Sequence, residues 1–187
     1  GAMSCLSCHS MHASDPNDQL KQKAKGNAVC VECHPKVGAN ITAHTHHGPK
    51  SSGSQCYNCH MPHTTIGLLG LIRAHRVDSP SANTSVETGR PNACNLCHLD
   101  KTHAEVATHL SNWYGQPPLS NPKENDQVAA SIEWLLSGDA VQRAAAAWHM
   151  GWPPAQAASG TNWMAPFLGR TLNDPYSSVR FIVGRSL

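Results

Sequence analysis

Aromatic residues are scarce in this sequence. They make up 5% of its 187 residues, and phenylalanine occurs only twice. Large aromatic side chains dominate the energetics of protein cores, so another source of apolar bulk is expected. Charge is also sparse, at 14%, with a formal net charge of +2 when the histidines are neutral. Lysine and arginine form no run, so the usual electrostatic footprint of a nucleic-acid partner is missing. No apolar stretch reaches membrane-spanning length. The longest, Ile66-Gly-Leu-Leu-Gly-Leu-Ile72, is short and glycine-rich. Gly-rich phosphate loops, nucleotide fingerprints and Ser-His-Asp arrangements are all absent. The chain opens on Gly1-Ala2-Met3, so residues 1–3 read as a cloning scar and not as a signal peptide. The first motif follows almost at once, as expected of a piece cut from a longer protein.

What is present is one pentapeptide in four copies. They are Cys5-Leu-Ser-Cys8-His9, Cys30-Val-Glu-Cys33-His34, Cys56-Tyr-Asn-Cys59-His60 and Cys94-Asn-Leu-Cys97-His98. These hold all 8 cysteines of the chain. Cys-x-x-Cys-His is the pattern of c-type haem attachment. Two thiols add to the two vinyl groups of a haem, and the adjacent histidine becomes the proximal axial ligand of the iron. Zinc sites, disulfides or redox pairs would use the cysteines but do not need a histidine after every second one. The fourfold repetition therefore points to four covalently bound haem c groups, which would supply the missing apolar bulk. Such a region should not fold without them. Haem attachment of this kind happens outside the cytoplasm. The expected location is periplasmic or extracellular, in a bacterium or archaeon, after removal of an export signal.

Thirteen histidines are the other unusual number. With His9, His34, His60 and His98 as proximal ligands, nine remain: His12, His44, His46, His47, His63, His75, His103, His109 and His149. This surplus over four irons favours filled sixth positions and bis-histidine ligation, hence low potentials. Met11 and Met61 sit too close to their own proximal histidines to reach the opposite haem face. Met150 and Met164 are remote in sequence. His12 follows His9 by one helical turn, so both would leave one face, and His12 should serve a neighbouring haem. His63 has the same offset from His60, with Pro62 between. One or two of His44, His46 and His47 should bind iron. Arg73 and Arg76 beside His75 would suit haem propionates. His103 falls on an apolar stripe, His109 off it, and His149 lies deep in an alanine-rich helix.

The chain changes character along its length. Residues 4 to about 100 are rich in loop-forming residues, as in Asp78-Ser-Pro-Ser-Ala-Asn-Thr-Ser85. From about 101, helical patterns take over. Val106, Leu110 and Trp113 mark one helix. Asn125 or Asp126 can cap a second that carries Val128, Ile132 and Leu136. Asp139 caps a third, with Arg143-Ala-Ala-Ala-Ala147. Asn162 precedes a fourth carrying Met164, Leu168 and Leu172. Asp174-Pro175 opens a fifth with Val179, Val183 and Leu187. The expected fold is mainly α with little β: a loop-rich, haem-packed tetrahaem domain over residues 4–116, then helical hairpins over 117–187. Asp139…Arg143 and Asp174…Arg180 read as two copies of one device, with arginines 37 residues apart.

Residues 30–114 carry Cys-x-x-Cys-His…His-Thr-His-His…Cys-x-x-Cys-His-Met-Pro…Arg-x-His…Gly-Arg-Pro-Asn-Ala-Cys-x-x-Cys-His-Leu-Asp-Lys. This run resembles multihaem cytochromes of the doubled Cys-x-x-Cys-His group, related to the tetrahaem electron acceptor of hydroxylamine oxidoreductase. The later helices resemble the HEAT-like extension of some members. The resemblance implies closely packed, mostly bis-His haems. It favours His12, His44, His47 and His75 as distal ligands, and implies that the positions of His63 and His103 vary. The related acceptor has one haem with an open site, and the same general group includes extracellular filaments whose subunits share ligands.

The expected function is electron transfer, not enzymatic catalysis, with redox proteins or other multihaem cytochromes as partners and self-assembly as a further route. The enzymatic alternative is one open iron that reduces a small nitrogen or sulfur compound.

Overall fold

The computed structural model describes residues 3–10, 12, 19–67, 70–120, 122 and 127–187. Gly1 and Ala2 of the opening tripeptide, Met11, two residues of the apolar run (68 and 69), and the Asn125/Asp126 cap lie outside these residues. The fold is mainly α, with helices over 54% of it and one two-stranded sheet. It divides into two compact units, residues 1–59 and 60–187.

The first unit consists of short turns. Its helices are α1 (Cys5–Cys8), α2 (Ala28–Cys33), α3 (Pro35–Ala39) and α4 (Ile41–Thr45), with 3-10 turns at Gln22–Ala24 and Ser52–Ser54. Helices this short are not stable on their own sequence preference. Among the described residues of this unit, only Ala24 and Ser54 are buried. The unit has polar ties in place of an apolar core. Asn27 is the main one: its Nδ2 donates to the Ser54 carbonyl at 2.7 Å, and its Oδ1 accepts the Cys56 N–H at 2.9 Å. Helix α5 (Cys56–His60) contains the division between the units.

The second unit begins with a hairpin of β1 (His63–Gly67) and β2 (Gly70–Arg73), antiparallel, with Thr65 opposite Ile72 and Ile66 opposite Leu71. Then come α6 (Ala82–Thr88), α7 (His103–Tyr114), α8 (Ala130–Ser137), α9 (Ala140–Met150), α10 (Pro153–Ser159), α11 (Ala165–Arg170) and α12 (Ser177–Ser186). Two of these start with capping boxes, Thr102/Glu105 on α7 and Asp139/Gln142 on α9. Gly89 and Gly115 end α6 and α7 in the left-handed region that glycine adopts without strain.

Helix α9 is the centre of the unit, packed against both α8 and α12. Its alanines 144–147 are all buried, and small side chains let neighbouring helices pack closely. Around them the core collects Trp134, Leu135, Met150, Met164, Leu168, Val179, Ile182 and Val183. Arg143 of α9 and Asp174, ahead of α12, join the two helices. The guanidinium Nη2 lies 3.1 Å from Asp174 Oδ1, Nε donates to Oδ2, and Nη1 donates to the Gly138 carbonyl at 2.7 Å.

Several helical details differ from the sequence pattern: Leu172 falls beyond α11 and, like Leu187, is exposed. In α8 the buried face is Ala130, Ser131, Trp134 and Leu135, while Val128 and Leu136 are exposed. Positions i, i+3 and i+4 make a broader face than a bare period of four, and Ser131 disguised it. Trp113 is exposed at the end of α7 and stacks on His109. Asp174 stands ahead of its helix, because its carboxylate binds Arg143 and the Tyr176 N–H and α12 starts at Ser177.

Candidate haem-binding sites

All four motifs form a turn, and the first, second and fourth close with the same bond. The histidine N–H donates to the carbonyl of the first cysteine at 2.8 Å for His9, 3.0 Å for His34 and 2.8 Å for His98, and His60 completes α5. One turn puts positions i, i+3 and i+4 on one face. Two thiols and an imidazole on one face are what two thioether bonds and an axial ligand require. None of the eight cysteines is in a disulfide. The residues present therefore fit covalent haem.

Cysteines of the first three motifs lie near one another in the first unit. Burial pushes the Cys30 thiol up to about 11, with Cys56 and Cys8 adding to the rise. Burial, then Cys56, also raises Cys59. A thioether carries no proton, so these shifts report packing only. The fourth motif is held differently. Asn92 Oδ1 caps the Cys94 N–H at 2.9 Å. Leu96 and Leu99 are buried in the core of the second unit. Ser159 Oγ donates to the Cys97 carbonyl at 3.0 Å and accepts the Leu99 N–H at 2.8 Å. Ser131 Oγ donates to the Leu99 carbonyl at 2.6 Å. Sequence reading missed this anchoring, although two leucines around a motif in an otherwise polar stretch were its signal.

His60 of the third motif, His47 and His75 each have Nδ1 on a backbone carbonyl. His60 binds Asp78 at 2.7 Å, His47 binds Thr45 at 2.6 Å and His75 binds Arg73 at 3.1 Å. Such a bond fixes the tautomer and makes Nε2 the ligating nitrogen if the ring binds a metal. His47 is the most firmly placed of its cluster. Its ring lies so close to Gly53 that a Cβ there would come within 2.3 Å of a ring carbon. Its carbonyl accepts from the buried Ser54 hydroxyl at 3.2 Å. His44 is exposed on the last turn of α4, and His46 is exposed at its left-handed cap. His75 is exposed after β2. His12 is exposed but not one helical turn from His9: α1 stops at Cys8, and His9 is extended and bridged to Leu20.

The remaining histidines lie in or beside the helical core. His149 is buried, with Nε2 2.9 Å from the His63 carbonyl, and burial lowers it to about 3. His63 packs on Trp148 at 4.8 Å and near Trp152 at 5.7 Å, and burial lowers it to about 4. Nδ1 of both is buried without a hydrogen-bond partner. His103 is buried against Trp134, while His109 is exposed.

Among the described residues, no helix is long and apolar enough to cross a membrane. No curated protein and no solved structure matches the chain. Residues 1–39, which hold the first two motifs, match a family model described as a doubled CXXCH motif. Those motifs indicate covalent haem c, attached outside the cytoplasm. The match supports a multihaem c-type cytochrome-like family for this chain.

Proposed function

We propose that the chain is a tetrahaem electron carrier, with one haem c on each motif. The observation that carries this is the shared turn: each motif closes on its first cysteine carbonyl or completes a helix, with no cysteine drawn into a disulfide. Each iron supplies one-electron ferric–ferrous chemistry. The protein's part is to hold each group in place, choose its axial ligands and keep neighbouring groups within electron-transfer distance.

His9, His34, His60 and His98 serve as proximal ligands. His12, His44, His47 and His75 serve as distal ligands. His47 and His75 have the support of their anchored Nδ1 atoms. The burial of His103 and His149, and the packing of half-buried His63 on Trp148 and Trp152, favour leaving them out. Arg73 and Arg76 would suit haem propionates, and Arg73 Nη1 donates to the Met61 carbonyl at 3.1 Å. The array α8–α12, with two helical pairs stacked through Arg143 and Asp174, fits a HEAT-like extension that docks redox proteins or other multihaem cytochromes. Kinship with the tetrahaem acceptor of hydroxylamine oxidoreductase, and a periplasmic or extracellular site, belong to the same reading.

The test is a pyridine haemochrome assay with a low-temperature electron paramagnetic resonance spectrum of the oxidised protein. Four haems, all low-spin, are expected. A stoichiometric high-spin signal would replace the carrier by an enzyme with one open iron, to be assayed with nitrite, hydroxylamine and carbon monoxide.

A further inference from the structure

One polar network in the second unit is not accounted for by haem attachment. The His60 ring donates from Nδ1 to the Asp78 carbonyl at 2.7 Å, and the Asp78 N–H donates back to the His60 carbonyl at 3.1 Å. The Asp78 carboxylate is itself gripped. Its Oδ2 accepts from Arg90 Nη2 at 2.9 Å and lies 3.2 Å from Arg76 Nε, and its Oδ1 accepts the Ser79 N–H at 2.9 Å. Arg90, then Ser79, hold this carboxyl below its ordinary range. Arg90 is anchored in turn. Its N–H donates to Thr88 Oγ1 at 3.3 Å, and the preceding carbonyl, of Gly89, accepts from Gln142 Nε2 on α9 at 2.6 Å. The chain of contacts therefore runs from α9 through residues 89–90 and Asp78 to the imidazole of the third motif.

We propose that the Asp78–Arg90 ion pair is a strut that presses the Asp78 carbonyl onto His60 and so sets the reduction potential of the third haem. The proposal rests on His60 being that haem's proximal ligand. A firm Nδ1–H···O=C bond makes the imidazole a stronger donor through Nε2, which favours ferric iron and lowers the potential. Both partners of the pair are 39% exposed, so its contribution to stability is small. Its effect is positional. Asp78 and Arg90 are positioning residues, because neither is proposed to touch the iron.

The test uses the holoprotein and three variants, Asp78→Asn, Arg90→Gln and Arg90→Lys, each checked for folding by far-ultraviolet circular dichroism and titrated spectroelectrochemically. A strut is weakened from either side. Asp78→Asn and Arg90→Gln are therefore both expected to raise the same single couple, by a several-fold increase in its reduced-to-oxidised ratio at fixed applied potential. Arg90 touches Asp78 through one nitrogen, so Arg90→Lys should return that couple towards the parent. Simple charge proximity gives opposite signs, since loss of a carboxylate raises a potential and loss of a guanidinium lowers it. Opposite shifts, no shift, or a uniform shift of all couples would overturn the strut. Mass spectrometry of the Cys56–Cys59 peptide separates the two levels. A missing haem there overturns the ligand assignment as well, whereas the haem in place with unmoved couples overturns the strut alone.

Discussion

Replacing Asp174 by alanine should be the most damaging single change in the helical array. The side chains of Arg143 and Asp174 are 16% and 4% exposed. Removing the acid leaves a guanidinium almost enclosed and unpaired. Breaking a buried pair from one side costs about 3–5 kcal/mol. The residual exposure of Arg143 lets water compensate part of this, which brings the expected loss to about 3 kcal/mol. The Tyr176 N–H also loses its acceptor, for up to about 1 kcal/mol more. Urea unfolding of the holoprotein at pH 7, followed by circular dichroism at 222 nm, reports the loss of helix, most of which lies in the second unit. Arg143→Met combined with Asp174→Leu fills the space without charge and should recover to within about 1 kcal/mol of the parent. Arg143 holds the Asp174 carboxyl below its ordinary range. The pair's contribution is thus complete above about pH 5 and is lost progressively as the pH falls through the ordinary carboxylate value of about 3.9 towards the lowered folded value. An Asp174→Ala loss under about 0.5 kcal/mol, or a double variant no better than the single one, would refute this reasoning.

His149 gives a second dependence on pH at milder acidity. It is lowered to about 3 in the fold, so the unfolded chain takes up the proton first. Stability should hold above the free histidine value of about 6.5 and fall between there and pH 3, by up to about 1.4 kcal/mol per unit. Urea midpoints from pH 7 to 5 should show this slope added to that of His63, lowered to about 4, and His149→Leu should remove its own share. Leu99→Ala empties a fully buried site and should cost about 2–5 kcal/mol in the same assay, with the fourth haem's spectrum disturbed before the others. Gly53→Ala should drive the His47 ring from its place. With His47 a distal ligand, one haem turns high-spin by paramagnetic resonance. An unchanged spectrum would remove His47 from the ligand set.

The sequence revealed the attachment sites through a chemical repeat, and the later helices through caps and alanines. It was weakest where two phases compete. Ser131 looked polar and Val128 apolar, yet packing buries the first and exposes the second. The hairpin at residues 63–73 was read only as a short apolar run, because glycines obscured the β-branched Thr64-Thr65-Ile66. The burial of His103 was legible from its stripe, whereas the alanine-rich run around His149 fitted a surface and a core position equally. Roles were not legible in His44-Thr-His46-His47. There the distinction comes from Gly53 and Ser54, whose contacts with His47 cross a loop.

The anchoring of the fourth motif bears on the order of assembly. Its leucines are enclosed by side chains from α8 to α12, and the Cys97 carbonyl is held by Ser159, 62 residues further on. A chain emerging from its N-terminus presents the first three motifs early, in a unit that buries almost nothing. The fourth motif keeps Cys94, Cys97 and His98 half-buried but takes its shape from the array, so it is the last of the four attachment sites to be completed as the chain folds.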